Sequence, residues 1–219
     1  MSLQVVIPLF EKFTALDGIG PYEVMQRIPE LDIVFIGHER GVIRSENGML
    51  GIEADATFTE LPNPDVIVFP GGYGTRALMT DDEVLEWIRN AHTMTTFTTS
   101  VCTGAFVLAA AGLLDGRRAT THWQSVEGFA QLFPEVEVDP NSIYVRAGDV
   151  WTSAGVTAGM DLALALIEDD YGRDLALEVS RRMVFFLKRP GGQSQFSAEL
   201  AGQMAEGDQL RELQAWIIE

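Results

Sequence analysis

The feature that most constrains the fold is a strand, a tight turn and a helix in direct succession around Cys102, the only cysteine. Thr95 to Val101 (TTFTTSV) is β-branched and aromatic, which favours a buried strand. Thr103 to Ala111 (TGAFVLAAA) is rich in alanine and apolar residues, which favours a buried helix. Ser100 and Gly104 are small, as a sharp turn between strand and helix requires. The segment therefore predicts a nucleophile elbow.

Such an elbow would hold the Cys102 side chain at the end of a sheet, close to the first amides of the helix. The partial positive charge of those amides favours a thiolate. We therefore expect the pKa of Cys102 to fall from about 8.5 into the range of roughly 3.5 to 7.5. The alternative is that Cys102 is one more small apolar core residue, because free cysteine is among the most buried residue types.

Strand-like and helix-like segments alternate along the rest of the chain. The pattern predicts strands over 3–9, 31–37, 65–70, 117–122, 136–138, 143–147 and 150–153, and a hairpin over 42–55. It predicts helices over 17–28, 81–92, 124–132, 157–170 and 173–188. This alternation indicates an α/β fold with a doubly wound, mostly parallel sheet and helices on both faces. The expected architecture is a flavodoxin-like three-layer sandwich that carries the cysteine elbow.

The length of 219 residues suits one α/β domain, which we predict over residues 1–188. Arg189 to Ser197 (RPGGQSQFS) is a polar Pro-Gly segment typical of a linker. The tail that follows, Ala198 to Glu219, is weakly helical and too short to form a domain. Three roles remain open for this tail: it packs back on the body, it contributes to a dimer contact, or it begins a further domain.

Composition excludes several classes of partner. The chain has 15 Lys and Arg against 32 Asp and Glu, a net charge of −17. An acidic surface repels phosphate backbones, so we expect no nucleic-acid partner for this chain alone. No apolar run is long enough to span a bilayer and no signal segment opens the chain, so we expect no membrane partner and a cytoplasmic location. A single cysteine permits no internal disulfide, which fits a reducing compartment.

No motif in the sequence indicates a metal or a cofactor. The run Gly71 to Gly74 does not follow the first strand and lacks the third glycine of a dinucleotide fingerprint. No Gly-Lys-Ser/Thr sequence indicates a P-loop. Three scattered histidines and one cysteine make no zinc-ligand pattern. We therefore expect no metal and no cofactor.

Three segments should meet at the carboxyl ends of the strands, where open α/β sheets bind their ligands. They are 17–21, 70–72 and 102–103. Asp17 is the candidate proton partner of the thiol, and the cap of the first helix is its alternative role. The backbone N–H groups of Gly72 and Thr103 are candidate oxyanion donors. A plain turn is the alternative at Gly71-Gly72.

A pocket for a small-molecule ligand or substrate is expected around these groups. Its predicted lining residues are Gly20, Gly71, Tyr73 and His122. His122 lies at the end of a predicted strand, from which it could act as a base on Cys102. Its alternative is a hydrogen-bonded structural role, with Trp123 beside it indicating partial burial.

Three segments carry a resemblance to a known family: DGIGPYEV (17–24), DVIVFPGGYG (65–74) and TTSVCTGAFVLAAAGLLDGRRATTHW (98–123). From about Gln4 to Tyr171 the chain resembles the ThiJ/PfpI superfamily, which has the class I glutamine-amidotransferase-like fold. The resemblance is greatest to isonitrile hydratases and to the sensor halves of AraC-type transcription regulators. It implies Cys102 as nucleophile, Asp17 as acid/base and Thr103 as a supporting residue. It also implies a homodimer.

One position argues against another activity found in this superfamily. Protease-like members carry a histidine directly after the cysteine, where this chain has Thr103. The resemblance therefore argues against peptidase activity.

The resemblance to the AraC-type regulators continues beyond the α/β body. Residues 180–200 (SRRMVFFLKRPGGQSQFSAEL) resemble their junction between sensor and DNA-binding halves, and 210–218 (LRELQAWII) resembles the start of their helix-turn-helix half. We therefore expect a small-molecule-sensing domain of an AraC-type regulator, with 189–219 leading into a helix-turn-helix domain. The alternative is an isonitrile hydratase-like lyase or a related amidase-like enzyme. A third hypothesis is redox sensing, in which an exposed Cys102 thiolate oxidises to a sulfinate.

Overall fold

The computed structural model describes residues 2–189 and 191–193. The strands are β1 (Leu3–Pro8), β2 (Leu31–Gly37), β3 (Gly41–Arg44), β4 (Gly51–Ala54), β5 (Ala56–Thr57), β6 (Val66–Phe69), β7 (Phe97–Val101), β8 (Arg118–Ala119), β9 (Glu137–Val138), β10 (Tyr144–Ala147) and β11 (Val150–Ser153). The helices are α1 (Ala15–Met25), α2 (Thr75–Leu78), α3 (Asp82–His92), α4 (Gly104–Ala110), α5 (Val126–Leu132), α6 (Ala158–Tyr171) and α7 (Arg173–Met183).

Seven strands form the central sheet in the order β10-β11-β7-β6-β1-β2-β5. Neighbouring strands run parallel, except for the antiparallel pair β10 and β11. The predicted hairpin forms from β3 and β4, which pair antiparallel outside this sheet. The observed topology confirms the prediction of a doubly wound, mostly parallel α/β fold.

The central strands supply apolar side chains to two cores, one on each face of the sheet. In β1, Val5 and Ile7 pack with α1, α6 and α7, whereas Val6 packs with α3 and α4. In β6, Val68 and Phe69 divide between the two cores in the same way. Because side chains alternate across a strand, a strand buried on both faces is apolar at every position.

The order of the strands determines where a site can form. From β1 the chain adds β2 on one side and then returns to add β6 and β7 on the other. Adjacent loops therefore leave β1 and β6 in opposite directions, which opens a crevice at their carboxyl ends. The three segments predicted to meet follow β1, β6 and β7, which are neighbours in the sheet.

Two helices differ from their predicted bounds by more than two residues at one end. The helix expected over 17–28 begins at Ala15 and ends at Met25. The helix expected over 173–188 ends at Met183, because Val184 adopts a left-handed conformation with φ 53°. Among the residues that the structure describes, no helix has the length and apolar character needed to cross a membrane.

Some described residues of the segment predicted as a linker contact the body. Arg189 donates a hydrogen bond to the carboxylate of Asp161, whose side chain is 3% exposed. Gln193 is also buried. Arg189 and Gln193 therefore contact the body beyond the predicted boundary at residue 188. The predicted helical tail at 198–219 lies outside the described residues.

Candidate functional site

Cys102 lies between β7 and α4 in a strained backbone conformation. Its φ of 56° is in the left-handed region, which is unfavourable for a residue with a side chain. Its N–H donates to the carbonyls of Ser153 and Ala154, each at 3.1 Å, and its own carbonyl accepts from Thr121 Oγ1 at 2.8 Å. These contacts hold the turn in the geometry of an elbow.

Asp17 lies opposite the sulfur atom. It is in the first turn of α1, and the N-cap is Thr14, so the alternative role of Asp17 as helix cap is wrong. Its carboxylate is fully buried and accepts hydrogen bonds from the backbone N–H groups of Gly71 at 3.0 Å and Val156 at 3.1 Å. The side chain of Cys102 lies next to it, and each group shifts the pKa of the other. A buried carboxyl group and a thiol therefore lie next to each other.

The pKa values of Asp17 and Cys102 are both raised. Burial raises the pKa of Asp17 to about 7, against the opposing effect of its two backbone donors. Burial, and then the neighbouring Asp17 carboxylate, raise the pKa of Cys102 above its ordinary value. The expectation of a lowered cysteine pKa is wrong, because burial and the Asp17 carboxylate raise the pKa by more than the Thr103 N–H lowers it. The resting thiol is therefore protonated at neutral pH.

The paired glycines after β6 allow this close packing. A Cβ atom at Gly71 would lie 2.6 Å from the Thr103 nitrogen and 2.8 Å from an Asp17 carboxylate oxygen. Gly72 has a φ of 135°, and its N–H donates to Thr103 Oγ1 at 2.9 Å. The predicted oxyanion donor at Gly72 is therefore already bound by the Thr103 hydroxyl. The Thr103 N–H lowers the pKa of Cys102, against the larger effect of burial.

A cleft of about 400 Å³ opens over the cysteine. Its lining residues are Thr14, Glu46, Gly72, Tyr73, Arg76, Cys102, Thr103, His122, Gln124, Ser125 and Val156. Tyr73 is exposed at the rim. Burial lowers the pKa of His122, whose Nδ1 accepts from the Gln124 N–H at 3.3 Å, so its imidazole is neutral at pH 7.

Two of the predicted pocket residues do not line this cleft. Gly20 packs against Met160 instead, where a Cβ atom would lie 3.1 Å from the Met160 side chain, so Gly20 is not part of this cleft. Gly71 lies behind the cleft, between Asp17 and Cys102, where it controls their separation.

Sequence reasoning missed Glu46 and Val156, which both line the cleft. Glu46, from the turn between β3 and β4, accepts hydrogen bonds from Thr14 Oγ1 at 2.9 Å and from the Tyr73 N–H at 3.2 Å. No local signal marks these contacts, because they depend on how the hairpin folds over the sheet. Val156 has a φ of 57° and follows the small run Ser153 to Gly155, which is the only sequence signal of a tight turn there.

A second cleft of about 700 Å³ adjoins the first and shares Tyr73 and Arg76 with it. Its floor is mainly apolar, with Phe10 and Leu78 among its residues. The Arg76 guanidinium lies over the Tyr73 ring, 5.1 Å from its centre. Within the described residues, no group of three or more His, Cys, Asp or Glu side chains is arranged to hold a metal ion.

Fold and site together define a class of protein: an α/β sandwich with a cysteine elbow and a buried acid at the switch point of its sheet. Residues 3–169 match the model of the DJ-1/PfpI family. The chain belongs to this family, which confirms the resemblance seen in the sequence.

Three relatives illustrate the range of the family. Isonitrile hydratase from Pseudomonas putida is 38% identical over 186 residues, which cover 84% of this chain and 79% of that enzyme. The HTH-type transcriptional regulator CdhR from Pseudomonas aeruginosa is 30% identical over 85% of this chain, but this chain spans only 55% of the regulator. A ThiJ/PfpI family protein from Pseudomonas syringae has a similar solved structure, with a TM-score of 0.79 and 28% identity, covering 87% of this chain and 78% of that one.

Proposed function

We propose that the chain is an isonitrile hydratase-like lyase, which adds water to the terminal carbon of an isonitrile and releases an N-substituted formamide. The observation that carries this proposal is the fully buried carboxyl group of Asp17 next to Cys102, which lines the cleft. An acid with a pKa of about 7 exchanges protons readily at physiological pH. The similarity to the hydratase over 79% of that enzyme supports the same reaction.

The first half of the proposed reaction forms a covalent intermediate. The sulfur of Cys102 attacks the terminal carbon of R–N≡C, and the thiol proton passes through Asp17 to that same carbon. The product of this step is a thioimidate, R–N=CH–S–Cys102. Asp17 lies next to the thiol, which places it to carry the proton.

The second half restores the enzyme. Water adds its oxygen to the thioimidate carbon, and one of its protons goes to the nitrogen. The C–S bond then breaks, the remaining water proton returns to the sulfur through Asp17, and R–NH–CHO leaves. Asp17 therefore acts as base and as acid in turn, which its pKa of about 7 suits. The Thr103 N–H stabilises the sulfur as charge develops on it.

The test is a steady-state assay with a simple alkyl isonitrile, in which NMR follows the formyl proton of the formamide. Cys102→Ala should lose all turnover above background, and Asp17→Asn should lose about 100-fold or more. Ser100→Ala is the matched control, because the Ser100 hydroxyl is buried two residues before the elbow and has no hydrogen-bond partner among the described residues. Equal rates for wild type and Cys102→Ala would contradict the proposal.

A second candidate is the sensor domain of an AraC-type regulator. The similarity to CdhR, a protein longer than this chain, and the contacts of Arg189 and Gln193 with the body favour it. The cleft would then bind a small amide-like metabolite without converting it. The two functions differ in turnover, so wild type that binds N-alkyl formamides in calorimetry but forms none from isonitriles would favour the sensor. A helix-turn-helix sequence encoded after Glu219 would add support.

A further inference from the structure

The last described residues place a glutamine side chain inside the body. Gln193 is 5% exposed, and its amide nitrogen lies within hydrogen-bond distance of three oxygen atoms. These are Thr121 O at 3.1 Å, Ser142 O at 3.0 Å and Thr120 Oγ1 at 3.1 Å. The Gln193 backbone N–H donates to Asn141 O at 2.7 Å. The segment is therefore held at one defined position.

Tight backbone packing beside the glutamine makes this position specific. A Cβ atom at Gly192 would lie 2.4 Å from Asn141 O, so a larger residue cannot occupy the same place without moving the segment. The Gln193 Oε1 atom is buried and has no hydrogen-bond partner among the described residues. The segment therefore depends on the donors of Gln193, because its acceptor contributes nothing.

One residue links this dock to the reactive cysteine. Thr121, whose carbonyl accepts from Gln193, donates from its hydroxyl to the carbonyl of Cys102 at 2.8 Å. The next residue, His122, lines the cleft over the sulfur. Gln193 therefore binds Thr121, which in turn binds the strained backbone of Cys102. Thr121 also precedes His122, which forms one wall of the cleft.

We propose that Gln193 is a positioning residue for Cys102, so that docking of residues 191–193 and occupancy of the cysteine cleft are coupled. If the segment leaves its dock, Thr121 loses a restraint, and both the elbow and the His122 wall gain freedom. By thermodynamic reciprocity, a group that fills the cleft and displaces that wall weakens the dock by the same factor. This coupling goes beyond the proposed function, because it acts on the thiol whether or not the chain turns over a substrate.

The first test measures the alkylation of Cys102 by iodoacetamide as a function of pH in the full chain. Gln193→Met keeps the volume of the side chain and removes its donors. Loss of two or three hydrogen bonds should raise the alkylation rate about tenfold by favouring the undocked state. It should also move the midpoint of the pH profile down, toward that of an exposed cysteine. A merely structural role would lower the melting temperature without changing that midpoint.

Two further variants make the test decisive. Gly192→Ala displaces the segment from Asn141 and leaves the side chain of Gln193 unchanged. It should therefore give the same increase in alkylation rate. Ser180→Ala removes a buried hydroxyl that donates to Ala176 within α7, so it should leave the pH profile unchanged. Wild-type rates and midpoints in folded Gln193→Met and Gly192→Ala would overturn the proposal.

A reciprocal measurement needs no variant. Hydrogen exchange at the Gln193 amide is compared in wild type before and after carbamidomethylation of Cys102. The modification adds bulk to the cleft, so we expect faster exchange at Gln193 and unchanged exchange in the core of α3. Equal protection at Gln193 in both forms would also overturn the coupling.

Discussion

At the scale of single residues, the site depends on one buried carboxyl group that faces one thiol. Asp17 is fully buried, and the two backbone N–H groups that it accepts from come from segments far apart in the chain, at Gly71 and Val156. These contacts fix the carboxyl group but do not compensate for its burial, so its pKa stays at about 7. Ionising Asp17 therefore costs free energy in the folded state.

That cost gives the first prediction, on stability against pH. Between pH 4 and 7 the folded state keeps a proton on Asp17 that the unfolded chain loses, because the pKa of this carboxyl is about 7 in the fold against an ordinary value of 3.8. The free energy of unfolding should therefore fall as pH rises through this window, by up to about 4 kcal/mol. Asp17→Asn should remove that part of the pH dependence in urea titrations at pH 4.5 and 8.

The control for this experiment is Asp82→Asn, which neutralises an exposed carboxylate in the first turn of α3. It should leave the slope of stability against pH close to that of wild type. A wild-type slope in Asp17→Asn would mean that Asp17 ionises as easily in the fold as in the unfolded chain.

Gly71 gives the second prediction. Alanine at this position places its Cβ atom against Thr103, Asp17 and Cys102 at 2.6 to 2.8 Å, and two of those contacts are with a backbone nitrogen and a Cβ atom that cannot rotate away. We expect Gly71→Ala to lower the free energy of unfolding by roughly 1 to 3 kcal/mol and to abolish hydration of isonitriles. Urea titration and the formamide assay measure the two effects.

A second glycine to alanine change separates site geometry from backbone effects. Gly128 lies in α5 with open space around its Cβ position, so Gly128→Ala should be neutral or stabilise the fold by up to about 1 kcal/mol. If Gly71→Ala behaved like Gly128→Ala, the close packing of the site would not be essential.

At the scale of elements, the segment after α7 is tied to α6 by an ion pair that is almost fully buried. Asp161 is 3% exposed and its partner Arg189 has an 18% exposed side chain. We expect Arg189→Met to cost about 2 to 3 kcal/mol at pH 8, because a buried carboxylate loses its counter-charge. The cost should be smaller at pH 5, since burial already raises the pKa of Asp161 and its unpaired carboxyl would take up a proton.

A matched exposed pair serves as the control. Arg182 and Glu178 form an ion pair on the surface of α7, with side chains 61% and 53% exposed. Arg182→Met should change the free energy of unfolding by no more than about 1 kcal/mol. Equal effects of the two substitutions in urea titrations would show that residue 189 is not part of the packed body.

Most elements could be predicted from the sequence, because apolar runs and Pro or Gly punctuation are local signals. The strands β1, β6 and β7 and the helix α3, with its Asp81 cap, lie where those signals place them. The end of α7 could not be predicted, because Val184 adopts its left-handed conformation against its own preference. The contacts of Gln193 could not be predicted either, since its side-chain partners lie more than 50 residues away in the sequence.

Within the site, residue identities could be predicted better than their electrostatics. Cys102, Asp17 and Thr103 are brought together as expected. The predicted direction of the cysteine pKa shift was wrong, because the shift depends on burial and on the neighbouring Asp17 carboxylate. Glu46 could not be predicted, because its position at the cleft depends on how the hairpin folds and not on a local sequence pattern.

At the scale of the whole molecule, charge is the dominant feature. A net charge of −17 makes the folded chain repel itself, because folding brings the carboxylates closer together. We expect the free energy of unfolding to rise when NaCl increases from about 0.01 to 0.5 M, as the screening length falls below 10 Å. Urea titrations at the two salt concentrations test this. A constant or falling stability would show that local ion pairs outweigh the global repulsion.

The most direct test of the central claim is to trap the covalent intermediate on Cys102. Wild type and Cys102→Ala are mixed with an alkyl isonitrile, quenched within a second and measured by intact mass and peptide mapping. We expect wild type to gain the full mass of the isonitrile on the peptide that contains Cys102, and Asp17→Asn to hold this adduct longer. Formamide production without any adduct on that peptide, or at the wild-type rate in Cys102→Ala, would contradict a reaction at this thiol.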